Sequence, residues 1–501
     1  MILNKTSLKQ AGFDTSYTAN VGVGIVHLGF GAFHKAHQAW LTDRVIQELG
    51  GNWKIVGVNN WGAAGKTVSE TGKETQYSQQ DNLFSICETD NQDTKIMVVG
   101  SIEEVLFSNQ TNKIMSYLTA ETTKVVTLTI TEKGYCHLPS TGRLNLEHPL
   151  IKHDLKNINS SKTAIGFLVS ALQVRMLNGI KPFTPLSCDN LPENGHTLRD
   201  IVYDFAQQLN TELHQWIVEN VTFPCTMVDR IVPKVTDNDK NKIQSLLHLR
   251  DECGVITEPF CQWIIEDNFC NNRPDWDKTS IKNIIFTDDV LPFEEMKLRL
   301  LNGAHSIIAY LGCLSGYETV SDALQDKTFK SFVRSIMDYE ITPSLSDVEG
   351  VDLENYKSLL IERFENTSLN HKTSQIAMDG SQKIPQRWLS VIKFAFDQQF
   401  NTPGLSLALA AWVIYSRGET LSGETIEVHD PLKSTFKKIW EDSNSIDQVI
   451  DQYLSLNSIF PSDIASNVLF KTQLTSNVKQ LISIGVDQSI EKFAQIKRSK
   501  L

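Results

Sequence analysis

The chain has 501 residues, 41% of them hydrophobic and 21% charged, which suits a globular protein of two or more domains. A formal net charge of -12, with no basic run, argues against a protein that grips nucleic-acid backbones. The N-terminus lacks an apolar stretch behind a charged head, and Leu405 to Tyr415 is too short to span a bilayer, so neither secretion nor a membrane is expected. Eight cysteines lie scattered without a C-x-x-C pair, which argues against structural zinc and fits a reducing cytoplasm.

Ile25 to Leu28 reads as a strand, Gly29-Phe30-Gly31-Ala32-Phe33 as a turn, Ala36 to Leu49 as a helix and Trp53 to Val58 as a second strand. Strand, Gly-x-Gly turn, helix and strand together open a dinucleotide-binding βαβ unit. The glycines let the backbone approach a pyrophosphate, whose charge the helix start stabilises. Two features depart from the full fingerprint. His34 stands where the third glycine belongs, and the second strand ends on Asn59-Asn60 instead of a carboxylate. Asn59 can still hydrogen-bond a ribose hydroxyl. With no Arg nearby, NAD is expected over NADP, which is not excluded.

Further strands are expected at Lys95 to Val99, Lys124 to Ile130, Phe183 to Cys188 and Ile284 to Phe286. Helices are expected at Ser160 to Asn178 and His196 to Leu213. Thr131 to Tyr135 is a polar turn at a strand's carboxyl end, where α/β sheets place ligands. Asn190 follows another strand end in the same way. The neighbours Asp229-Arg230 form a possible local ion pair. From Pro292 onward helical periodicity dominates, which predicts a boundary near 288: an α/β Rossmann-type domain over 1–288 and a mostly α-helical domain over 289–501. Within the helical part, Asp379 to Arg387 reads as a loop. On a helix through Lys297, Asn302 and His305, those three side chains fall within an arc of about 140°. A lysine of lowered pKa can act as a general base, a carboxamide can donate to a developing alkoxide, and an imidazole can bind a substrate oxygen. None of this requires a metal, and none is expected.

These segments resemble the polyol-specific long-chain dehydrogenases, the mannitol dehydrogenase family. The likeness rests on His27 to His34, Thr131 to Cys136, Pro149 to Gly166, Ser187 to Asn190, Thr222 to Pro233, Glu258 to Asp277, Lys297 to His305 and Ile376 to Arg387, in order along nearly the whole chain. The resemblance implies zinc-independent hydride transfer between NAD or NADP and a small sugar acid or polyol. It implies Lys297 as general acid/base, Asn190 and Asn302 as the amides that polarise the reacting oxygen, and His305 as their substrate-binding partner. It further implies Asp229 and Lys383 as hydroxyl contacts, Glu294 as a proton gate, and Gly29, Gly31 and Phe33 within the cofactor turn. Gln375 stands where the family's mannitol dehydrogenases carry an Arg. This favours the branch that reduces keto sugar acids, with Lys383 and Arg387 as candidate cations for a substrate carboxylate.

Overall fold

A computed structural model describes residues 1–13, 20–59, 73–138, 141–348 and 350–498. The chain divides into two compact units, Met1–Leu291 and Pro292–Leu501.

The first unit is built on strands β1 (Val23–Leu28), β2 (Lys54–Asn59), β3 (Phe84–Thr89), β4 (Thr94–Val99), β5 (Ile102–Phe107), β6 (Val125–Leu128), β7 (Thr184–Ser187), β8 (Thr226–Asp229), β9 (Val255–Thr257), β10 (Gln262–Glu266) and β11 (Ile284–Thr287). Five of them form a parallel sheet in the order β5-β2-β1-β6-β7. Its central strands are buried along nearly their whole length because both faces are covered, and their polar members His27 and Thr127 bond each other. One face packs on Ile114, Phe167, Leu172 and Phe205. The other packs on Phe30, Trp40, Trp263 and Trp276. Two three-stranded sheets, β11-β10-β8 and β4-β3-β9, complete the unit. The expected helix over His196 to Leu213 is two helices, Asn194–Leu209 and Thr211–Asn220. Asn210 interrupts them with extended backbone (φ -164°) and caps the second by accepting from the Glu212 amide at 2.7 Å.

The second unit is helical, with no strand longer than an isolated bridge among its described residues. Gly303–Ser315 and Val468–Arg498 both pack against Pro403–Tyr415, every residue of which after Pro403 is buried. The buried Glu340 carboxylate accepts from the amides of Gly404 and Leu405, each at 2.8 Å, and so caps that apolar helix. Asp379 to Arg387, expected as a loop, is helical: Gly380–Ile384 runs into a π-type turn, Pro385–Leu389. Asp430 fastens its start, accepting from the Ser381 amide at 2.8 Å and the Ser381 hydroxyl at 2.6 Å. Among the described residues, no helix is long and apolar enough to cross a membrane.

Candidate functional site

In the Rossmann unit the chain leaves β1 through Gly29, whose φ of +102° lies in the left-handed region. A Cβ there would stand 2.1 Å from the Thr129 carbonyl oxygen. The amides of Gly29 and Phe30 donate to the Val58 carbonyl at 2.8 and 2.9 Å, which closes the turn onto β2. Gly31 is different: a Cβ on it would meet only the Gly29 carbonyl oxygen, at 3.6 Å. Its bareness leaves room at the start of the helical run that begins with Ala32–His34. Phe30 is buried against Gly57, whose own Cβ would sit 2.5 Å from the ring. Ala32 and Phe33 stay partly exposed, and Phe33 stacks on His37 with centroids 5.1 Å apart.

Beneath the turn, the rings of His27 and His34 stack at 3.4 Å. His27 Nδ1 bonds Thr127 Oγ1 at 2.8 Å and its Nε2 bonds Thr129 Oγ1 at 3.0 Å. Burial lowers the His27 pKa to about 3 and drives His34 well below its ordinary value, so the turn rests on uncharged imidazoles. Asn59 ends β2, half-buried, while Asn60 lies outside the described residues.

Asn190 stands exposed beyond β7. The residue before it organises the neighbourhood. Asp189 accepts from the Ile130 amide at 2.9 Å, the Thr131 amide at 3.0 Å and the Tyr135 hydroxyl at 2.9 Å. It thereby ties the loop after β7 to the helical turn Thr131–Gly134 after β6. Burial pushes the Asp189 carboxyl up to about 6, against those three hydrogen bonds. Asp229 is buried at the end of β8, opposite Gln262. Its neighbour Arg230 does not pair with it. Arg230 bonds Glu88, donates to the Glu258 carbonyl and lies over the Trp40 ring at 4.4 Å.

In the helical unit, Leu291–Met296 passes into the π-type turn Lys297–Asn302 and then into Gly303–Ser315. A π turn closes i→i+5, so Lys297 and Asn302 lie one turn apart on one face, where a regular α-helix would splay them by about 140°. Lys297, Asn302 and His305 are all buried. Asn302 Nδ2 and His305 Nε2 find no hydrogen-bond partner within the protein. Groups in that condition are costly unless a ligand satisfies them. The His305 ring lies 4.4 Å from Phe364 and 5.3 Å from His371. Burial drives its pKa well below the ordinary value, assisted by His371 and by the positive charges of Arg363, Arg387 and Lys297. His371 is itself lowered to about 4 by desolvation.

Arg387 Nη1 donates to the Asn302 carbonyl at 3.1 Å and to Ser306 Oγ at 2.8 Å, taking up a carbonyl at the end of the π turn. Lys383 Nζ donates to the Ile376 carbonyl at 3.3 Å. Glu294 is half-buried about one turn before Lys297, and Gln375 is exposed on Thr373–Ile376. The helical unit therefore brings Lys297, Asn302, His305 and Arg387 together. Asn190, Asp229 and the glycine turn belong to the other unit. Asp189, Arg363 and His371 went unremarked as site residues in the sequence. Only Asp189, placed at a strand end beside Asn190, carried a signal there.

Models of the mannitol dehydrogenase Rossmann domain and C-terminal domain match residues 23–278 and 289–482. The D-mannonate oxidoreductase of Escherichia coli K12 is 42% identical over 468 residues, covering 93% of this chain and 94% of the relative. A mannitol 2-dehydrogenase of Aspergillus clavatus is 34% identical, covering 94% of this chain and 93% of its own. The Pseudomonas fluorescens mannitol 2-dehydrogenase, solved as a ternary complex with NAD and D-mannitol, superposes with a TM-score of 0.89 at 34% identity, covering 99% of this chain and all of that one. With both domains matched and relatives similar along nearly its whole length, the chain belongs to the mannitol dehydrogenase family of oxidoreductases acting on CH–OH groups.

Proposed function

We propose that the chain is an NAD-dependent fructuronate reductase, interconverting D-mannonate and D-fructuronate. The observation that carries this reading is the place of Arg387, whose Nη1 donates to the Asn302 carbonyl and to Ser306 Oγ on the segment that carries the buried Lys297 and His305. A guanidinium at that position suits a substrate bearing a carboxylate better than a neutral polyol. The 42% identity to D-mannonate oxidoreductase supports it, as does Gln375 in place of an Arg.

NAD, held by the Pseudomonas neighbour, fits the glycine turn here. The open space at Gly31 and the helix start beside it suit a pyrophosphate. Asn59 offers a neutral hydrogen bond to a ribose hydroxyl, which favours NAD over NADP. When bound, the dinucleotide supplies the hydride donor or acceptor.

Lys297, as an ammonium, gives a proton from Nζ to the developing alkoxide oxygen during reduction. In oxidation neutral Lys297 takes that proton back. Asn302 Nδ2 donates to the same oxygen and stabilises its charge without carrying any itself. His305, kept uncharged by burial, offers Nε2 to a substrate hydroxyl. Lys383 holds a further hydroxyl, Arg387 meets the carboxylate, and Glu294 passes the Lys297 proton toward solvent.

The test is NADH consumption with D-fructuronate, D-tagaturonate and D-fructose supplied separately. Fast turnover confined to fructuronate is expected. Preference for fructose would move the chain to the mannitol 2-dehydrogenases and overturn the carboxylate reading.

A further inference from the structure

Away from the glycine turn, three segments of the Rossmann unit converge on a cluster of mixed donors. One ligand atom each from His196, Cys225 and Glu266 lies within 4.8 Å of the others, the one such group among the described residues. His196 sits in the first turn of Asn194–Leu209, Cys225 just before β8, and Glu266 at the end of β10. No C-x-x-C spacing announces the group, because its members are far apart in the chain.

Backbone and side-chain hydrogen bonds join the three segments. Glu266 Oε2 accepts from the Cys225 amide at 2.9 Å, and the Glu266 amide donates to the Cys225 carbonyl at 2.9 Å. Asn194 accepts from the Thr226 amide and donates to the Thr226 carbonyl, both at 2.9 Å. These bonds lock the start of the helix against the residue after Cys225. Gly195 permits that approach, since a Cβ on it would stand 2.4 Å from the Pro224 carbonyl oxygen. His196 Nδ1 is engaged at 3.0 Å by Glu193 Oε1. A carboxylate on one ring nitrogen fixes the tautomer and raises the basicity of the other, the arrangement found behind metal-bound histidines.

We propose that His196, Cys225 and Glu266 form a binding site for a zinc-class divalent cation, with a fourth position open to solvent. Imidazole nitrogen, thiolate sulfur and carboxylate oxygen are the three ligand types that zinc takes. One thiolate and one carboxylate neutralise its two charges. As the sulfur–metal bond forms, the thiol proton leaves to solvent, so affinity rises with pH. Bound metal would pin the helix that follows the Asn190 loop to β8 and β10.

The experiment uses the full, tag-free chain stripped with chelator and titrated with Co(II). A thiolate-to-cobalt charge-transfer band saturating at one ion per chain, and bleached by Zn(II), is expected. Cys225→Ser should abolish the band. His196→Asn and Glu266→Gln should weaken Co(II) binding by at least about 10–100-fold, and Glu193→Gln by about tenfold. Retained NADH binding in each variant certifies the fold. Absence of the band in the native chain, or a band surviving Cys225→Ser, would overturn the site.

Discussion

In the Rossmann unit the chain turns through Gly29 at φ +102° and leaves Gly31 bare, so the room for a ligand comes from missing side chains. In the helical unit the room comes from a change of helical pitch: Lys297 to Asn302 widen into a π turn that puts a buried amine and a buried amide on one face. One device subtracts atoms and the other redirects them. The first tolerates little substitution at the backbone itself, because the left-handed conformation belongs to glycine. The second places its demand on side chains, which can be exchanged without altering the chain's path.

The largest effects of breaking this contrast should come from the helical unit. Lys297→Ala is expected to lower kcat by about 10²–10⁴ while leaving NADH affinity near normal, as read by turnover and by fluorescence titration. Near-normal turnover would remove Lys297 from the proton-transfer role. Asn302→Ala should lower kcat by about 10²–10³, the size of a lost oxyanion donor. An effect confined to KM would instead assign Asn302 to uniform substrate binding.

The two glycines sharpen the comparison within the Rossmann unit. Gly29→Ala forces a side chain into left-handed backbone and against Thr129, so it should cost about 1–3 kcal/mol of stability in urea unfolding. Gly31→Ala meets nothing closer than 3.6 Å and should leave the unfolding midpoint unchanged while weakening NADH binding by about tenfold, or ~1.4 kcal/mol. Equal loss of stability in both would show that neither space is kept for a ligand.

Both units also hold neutral imidazoles, the buried His27 with a pKa of about 3 and the partly exposed His371 with about 4. Each folded pKa lies below the unfolded value near 6.5, so between the two the unfolded chain binds the extra proton and stability falls as pH falls. His371→Phe should remove about 1.4 kcal/mol per pH unit of that slope between pH 6.5 and 4, measured by urea unfolding at several pH values. Parallel curves for the two chains would show that His371 is protonated in the fold.

The Rossmann half was legible because its signals are local: a glycine pair after an apolar run, β-branched stretches, and polar residues at strand ends. Lys297, Asn302 and His305 were legible as residue types, but the π turn that aligns them was not. Ordinary α periodicity assigns Lys297 and Asn302 to different edges of the helix, and widening depends on packing that no short window contains. Asp379 to Arg387 read as a loop for a similar reason. Its helical start is set by Asp430, 49 residues after Ser381. Arg230 was misassigned to Asp229 because its partner Glu88 lies 142 residues earlier. Arg363 and His371 are anonymous in sequence, and their meaning comes from standing around His305.

Asp189 has a mechanical consequence. One carboxylate grips backbone amides of the loop after β6 while belonging to the loop after β7, and Asn190 follows it directly. Those bonds tie the two loops together. The exposed Asn190 therefore follows a residue that is already tied down, so in the role expected of it the entropy of ordering is spent in folding and not in binding.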